Sequence, residues 1–208
     1  MVTPEQIFGF LLAAVAITAA PGPDNLMVLG MGMSKGRLQG AVFGLGCALG
    51  CLSHTVLAVL GVSAVIAASP VAFTALRLLG GAYLVWLGVQ SLRSRGGAQA
   101  VQPGAADAKL GSLLLRGVLA NAINPKVVLF FLSFLPQFVV PAQGQVAGQT
   151  ALLGVLFTLQ AAVLFGLLAL CAGSVGRWLQ RRPHAGAWLD RVAGVLFIGL
   201  GARLMFVR

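Results

Sequence analysis

Of the 208 residues, 59% are hydrophobic and only 9% are charged, against about 25% charged in soluble globular domains, and the mean hydropathy is +0.96. Such a chain cannot cover itself with a water-compatible surface, which excludes a soluble domain and makes a lipid bilayer its solvent. The formal net charge of +10 does not point to nucleic acid, because Lys and Arg lie in breaks between apolar runs rather than on one amphipathic face.

In chain order, apolar runs of bilayer-spanning length, roughly 20 residues each, are predicted at about Gln6–Met33, Gly40–Ala67, Val71–Leu92, Ser112–Leu135, Gln149–Leu170 and Ala187–Phe206. The breaks between them read "SKGR", "ASP", "RSRGGAQAVQPGAADAK", "PQFVVPAQGQ" and "GSVGRWLQRRPHAG". The stretch "ITAAPG" has the small residues of a signal-peptide cleavage site. It is preceded by Glu5 and no Lys or Arg, so it is kept in the mature chain. The first, third and fifth breaks with their flanks carry Lys35, Arg37, Arg93, Arg95, Lys109, Arg116, Arg177, Arg181, Arg182 and Arg191, and the second and fourth carry neither Lys nor Arg. That asymmetry places the first, third and fifth breaks in the cytoplasm and both termini outside. Arg203 and Arg208 oppose this for the last span.

The first predicted span stops midway at "PGPDN" and the fourth at "NAINPK". Proline removes a helical donor and clashes with the preceding turn, and in hydrocarbon the freed carbonyls need protein or a water-lined cavity around them. Pro21 and Pro23 flank the flexible Gly22, and Asp24 with Asn25 would cap the half-helix that follows. That half-helix would aim its N-terminal N–H groups into a cavity, an end that favours anions. In the second break, Asn121 and Asn124 offer amides, Pro125 breaks the ladder, and Lys126 adds a cation near the middle of the span. A charge at that depth costs about 2.5–3.5 kcal/mol, so a partner is expected. Asp24 is the only acid in a predicted span core, which predicts an Asp24–Lys126 pair, either holding the broken helices together or also meeting substrate or proton.

"LRLLGGAYLVWLGVQSL" (76–92) and "LDRVAGVLFIGLGARLM" (189–205) align at a fixed offset, with Gly81 on Gly194, Leu87 on Leu200 and Gly88 on Gly201. The third span thus resembles the sixth, and the broken first resembles the broken fourth. Three crossings per half is an odd number, so the halves must be inverted, a design of secondary transporters. The predicted fold is all-α: a polytopic membrane protein of about six transmembrane helices, built as two inverted three-helix repeats with helices one and four broken. The whole of 1–208 forms one membrane domain, with 1–92 as the first repeat, 93–111 as a cytoplasmic loop and 112–208 as the second repeat.

Cys47, Cys51 and His54 share one face of the second span. They would form a soft-metal stripe or pack a tight interface beside Gly40, Gly44, Gly46 and Gly50 at small-xxx-small spacing. Packing is the preferred reading, with His54 as a cavity or proton-relay candidate, and no metal site is assigned. With Cys171 the cysteines number three, and all sit in apolar runs as small hydrophobes rather than disulfides. Arg77 is expected to snorkel to the outer interface. Tyr83 and Gln160 are polar enough to line a cavity. No GxSxG, no HExxH and no paired acids within a span are present, so no catalytic residues and no cofactor are assigned. The glycine-rich faces of the second span would permit a homodimer.

The stretches "PGPDNLMVLGMGMSKGRLQGAVFGLGCALG", "SPVAFTALRLLGGAYLVWLGVQSLRS" and "GVLANAINPKVVLFFLSFLPQFV" together resemble the LysE/RhtB (resistance to homoserine/threonine) family of bacterial amino-acid exporters. The likeness covers most of Pro21 to Phe138 and, more weakly, the last span. It rests on PGPD, a GAYLxxLG-like core and NPK in that order, with Gly81 in "LGGAYL" as a small departure. The resemblance implies export of amino acids or close derivatives across the bacterial inner membrane, driven by protons. Pro21, Gly22, Pro23, Asp24, Asn124, Pro125 and Lys126 are the motif positions. A metal-cation exporter and a passive channel are the alternatives. Four acids in the whole chain, with one in a span core, weigh against the first.

Overall fold

The computed structural model describes residues 2–68, 70–94, 109–182 and 184–206. Most of the expected 93–111 loop, including Arg95, lies outside these, as do Ser69 of the second break and Arg208. Among the described residues all regular structure is helical, and the chain is an all-α polytopic membrane protein.

The first helix, α1 (Pro4–Ala19), opens on a capping box. Thr3 Oγ1 accepts from the Gln6 amide and Gln6 Oε1 accepts from the Thr3 amide, satisfying two donors that a helix start leaves open. It ends just before Pro21, and α2 (Pro23–Ser34) leaves at 57° to it. After Gly36, α3 (Arg37–Ala68) and α4 (Pro70–Arg93) follow. The second broken span is α5 (Leu110–Ala122) and then α6 (Pro125–Leu129), which continues through a π-helical turn at Phe130–Phe134 and a 3-10 turn at Leu135–Phe138. The bend between its two parts is 51°. Finally come α7 (Val146–Leu170), α8 (Ala172–Arg181) and α9 (Ala185–Phe206).

Residues Arg37–Gly61 of α3 and the whole of α7, each 25 residues, are long and apolar enough to cross a membrane, and each bent pair qualifies as one further span. At 24 and 22 residues, α4 and α9 also reach spanning length. Large apolar side chains stand outward along these helices, among them Leu60, Ile123, Leu159, Val163 and Val195, each more than half exposed. Such a surface is untenable in water and ordinary against acyl chains.

The helices pack backbone to backbone. A Cβ at Gly46 of α3 would run into the Leu114 carbonyl of α5, and one at Gly117 of α5 into the Phe43 carbonyl of α3. Small residues allow this approach where no hydrophobic effect drives helices together. In α4 and α9 the sequence-equivalent glycines meet crosswise: Gly81 faces Gly201, and Gly88 faces Gly194. The pairing of one residue with its counterpart's partner is the signature of a two-fold contact. On the side of the Gln6 end, Phe10, Phe130, Phe131, Phe134 and Phe157 form an aromatic wall with ring centroids 4.9–6.2 Å apart.

Neighbour contacts fix the helix directions. α3 runs parallel to α5 (Gly46 beside Gly117, Gly50 beside Asn121) and antiparallel to α7 (Gly44 beside Phe165, Thr55 beside Gly154). Ser94 donates to the Asp190 carboxylate at 2.5 Å, joining the end of α4 to the start of α9. Consequently Lys35, Arg37, Arg93, Lys109, Arg116, Arg177, Arg181, Arg182 and Arg191 all fall at one end of the bundle. Arg77 and Arg203 fall at the other, where Gln6 Nε2 donates to the Phe138 carbonyl at 3.1 Å.

Candidate functional site

The two broken spans meet. Ending α1 early orphans its last carbonyls, and side chains from around the break take them up. Asn25 Nδ2 donates to the Thr18 carbonyl at 2.8 Å, and Lys126 Nζ donates to the Ala20 carbonyl at 3.0 Å. A cation at a helix C-terminus also suits the dipole there. Lys126 is only 7% exposed and lies over the Phe197 ring of α9 at 5.9 Å from its centroid. Gly22 lets it in, since a Cβ at Gly22 would stand 2.8 Å from Lys126 Nζ. The Gly22 backbone is extended, with φ −173°, so glycine is needed there for space and not for an unusual dihedral.

Asp24 lies in the first turn of α2 and is 3% exposed. Its Oδ2 accepts from Asn121 Nδ2 at 2.7 Å, while its Oδ1 is buried with no hydrogen-bond partner. Asn121, in the last turn of α5, is a hub. Its Oδ1 accepts from Cys51 Sγ at 3.5 Å, and its backbone carbonyl lies 3.0 Å from His54 Nε2. A carbonyl can only accept, so that ring nitrogen carries the proton.

Two expectations are corrected here. Asp24 and Lys126 line one pocket but form no ion pair; each is held instead by a neutral partner, Asn121 for the carboxylate and the Ala20 carbonyl for the ammonium. Nor do Asp24 and Asn25 cap α2. Its N-cap is Gly22, with no side-chain cap, which leaves the first-turn N–H groups without side-chain acceptors. The second break is capped, Asn124 Oδ1 accepting from the Lys126 amide at 3.1 Å, while Asn124 Nδ2 is buried and unpartnered.

The pocket at this junction is lined by Ile17, Thr18, Asp24, Asn25, Cys51, Asn121, Lys126, Val127, Phe157, Ala161 and Phe165. Its volume is about 10 Å³, room for about one water, so a larger ligand enters only if the helices part. Of the residues singled out from sequence, Asp24, Asn25, Asn121 and Lys126 converge on this pocket. Pro21, Gly22, Pro23, Asn124 and Pro125 shape the two breaks around it. His54 stands behind Asn121, its ring 5.7 Å from that of Phe131. Cys47 and Cys51 are buried in the packed face of α3, and among the described residues no three His, Cys, Asp or Glu side chains group as metal ligands. Tyr83 does not line the pocket and stacks beside Trp86 at 5.3 Å. Gln160 does not line it either, but its Nε2 holds the Thr18 hydroxyl at 2.9 Å. Sequence reasoning missed the α7 wall of Phe157, Ala161 and Phe165, spaced by four residues on one face. In a helix that is apolar all round, nothing distinguishes that face from the lipid-facing ones.

The chain is 36% identical to a protein of Vibrio cholerae named only as an uncharacterized membrane protein, over 94% of both chains. It is 31% identical to the homoserine/homoserine lactone efflux protein of Salmonella typhimurium, over 99% of this chain and 98% of that one. It is also 31% identical to the leucine efflux protein of Klebsiella pneumoniae, over 94% and 92% respectively. No solved structure matches it. The model of the LysE type translocator family matches residues 15–207, and the chain, with its two broken spans meeting at a buried acid and a buried base, belongs to that family.

Proposed function

We propose that this protein is a secondary exporter of amino acids or close derivatives in the bacterial inner membrane, coupled to the proton gradient, with its pocket at the junction of α1, α2, α5 and α6. One observation carries the reading: a buried carboxylate with a free oxygen and a buried ammonium with unused donors line a single cavity between two broken spans. Lys126 uses one of its three N–H groups on Ala20, and Asp24 Oδ1 and Asn25 Oδ1 are unpartnered acceptors. A zwitterion offers the complement of each. Its carboxylate would meet Lys126 and the uncapped start of α2, and its ammonium would meet Asp24 Oδ1 and Asn25 Oδ1. The apolar wall of Ile17, Val127, Phe157, Ala161 and Phe165 would then take the side chain.

Coupling follows from the same residues. An ionised Asp24 holds the ammonium, and protonation of Asp24 removes that attraction and favours release. The two halves, α1–α4 and α5–α9, would move against each other as inverted repeats about the α4–α9 contact, opening the closed pocket to one side and then the other. The relatives' efflux of homoserine and leucine supports trying both as substrates.

The test uses liposomes holding the purified protein, preloaded with homoserine or leucine, under an imposed pH gradient. Efflux should exceed that from protein-free liposomes about tenfold or more, and Asp24→Asn should abolish the gradient-driven part while still inserting and folding. No acceleration of any amino acid would overturn the exporter reading, and full gradient-driven efflux by Asp24→Asn would overturn the coupling.

A further inference from the structure

Away from the pocket, at the basic end of the bundle, α8 and the start of α9 enclose an open groove of about 580 Å³ lined by Trp178, Arg181, Arg182, His184, Ala185 and Trp188. We propose that this groove binds the phosphodiester headgroup of an anionic phospholipid, with the two tryptophans set at the headgroup level beside it.

The helix that builds the groove is sharply two-sided. Ala172 and Gly176 are buried, against α2: a Cβ at Gly32 would collide with Ala172, and one at Gly176 with Met33. The opposite face, Ser174, Arg177, Trp178 and Arg181, is exposed. On a helix facing water, a tryptophan 45% exposed among arginines has no partner. At a membrane interface, an amphipathic ring beside cations is the expected composition. Trp188, 62% exposed, repeats the pattern from the first turn of α9.

Charge complementarity selects the occupant. The side chains of Arg181, Arg182 and His184 make no hydrogen bond or ion pair with the described residues. Asp190, the acid at this end among the described residues, is already bonded to Ser94. Three cationic or proton-donating side chains around a groove open to the headgroup layer, with no acid among the described residues left to neutralise them, are matched by a phosphodiester anion. A lipid alone brings that anion together with acyl chains for the flanking tryptophan rings.

The test uses the full-length protein in detergent and native mass spectrometry of bound lipid, with dioleoylphosphatidylglycerol, dioleoylphosphatidylcholine and inorganic phosphate as probes. Phosphatidylglycerol should bind the wild type, and R181Q/R182Q should weaken it roughly 10- to 30-fold. K109Q/R116Q, which removes the same charge from exposed positions outside the groove, should leave binding within about twofold. Should R181Q/R182Q lose the folded state in detergent, R182Q, which lies beyond the end of α8, carries the same comparison with a roughly fivefold weakening. Equal binding of phosphatidylcholine, equal loss in K109Q/R116Q, or undiminished phosphatidylglycerol binding by the groove variants would overturn the proposal. Displacement of the lipid by millimolar phosphate would assign the site to the free anion and overturn the lipid as its occupant.

Discussion

At the scale of single residues, the site is held by neutral partners placed where charges would otherwise be stranded. Burying an unpaired carboxylate costs several kcal/mol, and Asn121 removes part of that cost with one hydrogen bond to Asp24. Asn121→Ala should therefore destabilise the protein by about 1.5–3 kcal/mol, the usual value for a hydrogen bond to a charged group. A thermal melt in detergent reads this as a drop of several degrees. Gly22 and Lys126 form a second dependency. Gly22→Ala sets a methyl against the Lys126 ammonium and should push it off the Ala20 carbonyl. In a Lys126→Met background the charge that clashes is gone, so the two substitutions should be non-additive by about 0.5–3 kcal/mol. A double-mutant cycle on melting temperature gives the coupling directly, and simple additivity would show that Gly22 matters for some other reason.

At the scale of elements, glycine contacts decide which helices touch. Gly46→Val would drive a side chain into the Leu114 carbonyl and the Gly117 backbone, and backbone cannot rotate away. Overpacking of this kind costs about 1–3 kcal/mol, and a loss at the upper end is expected, seen as a reduced yield of monodisperse protein. Gly166→Ala meets nothing within 4 Å and should be neutral in the same assay. Much of this layer was legible in the sequence. Proline inside an apolar run announces a broken helix whatever the tertiary context, so both breaks and the residues bracketing them were readable. The α4–α9 glycine match was readable too, because it is a pattern of composition. What was illegible depends on which groups meet across the fold. Asp24 and Lys126 invite pairing as the opposite charges of the span cores, but the orphaned Ala20 carbonyl and the Asn121 amide take them first, and neither competitor is visible until α1 and α5 are placed together. The amphipathic α8 was hidden for a simpler reason: its glycines and arginines read as a break between spans, and only its packing on α2 shows that it is a helix.

At the scale of the whole molecule, the helix directions turn the charge pattern into a prediction about orientation. Lys35, Arg37, Arg93, Lys109, Arg116, Arg177, Arg181, Arg182 and Arg191 share one end, while the other has Arg77 and Arg203 among the described residues. Insertion retains the Lys- and Arg-rich end in the cytoplasm, so this bias predicts the basic end inside and the Gln6–Phe138 end outside. The Arg203 objection thereby loses weight, since α9 places it with Arg77 opposite a crowd of nine. Cys171 is exposed whereas Cys47 and Cys51 are buried, so Cys171→Ser gives a background with little labelling by a membrane-impermeant maleimide. On that background Ala142→Cys, on the exposed turn before α7, should be labelled in intact cells. Lys109→Cys, exposed at the start of α5, should be labelled only after the membrane is opened. The opposite result would invert the molecule. It would also set the crowded basic end outside, against the retention of Lys and Arg in the cytoplasm that orients most polytopic chains.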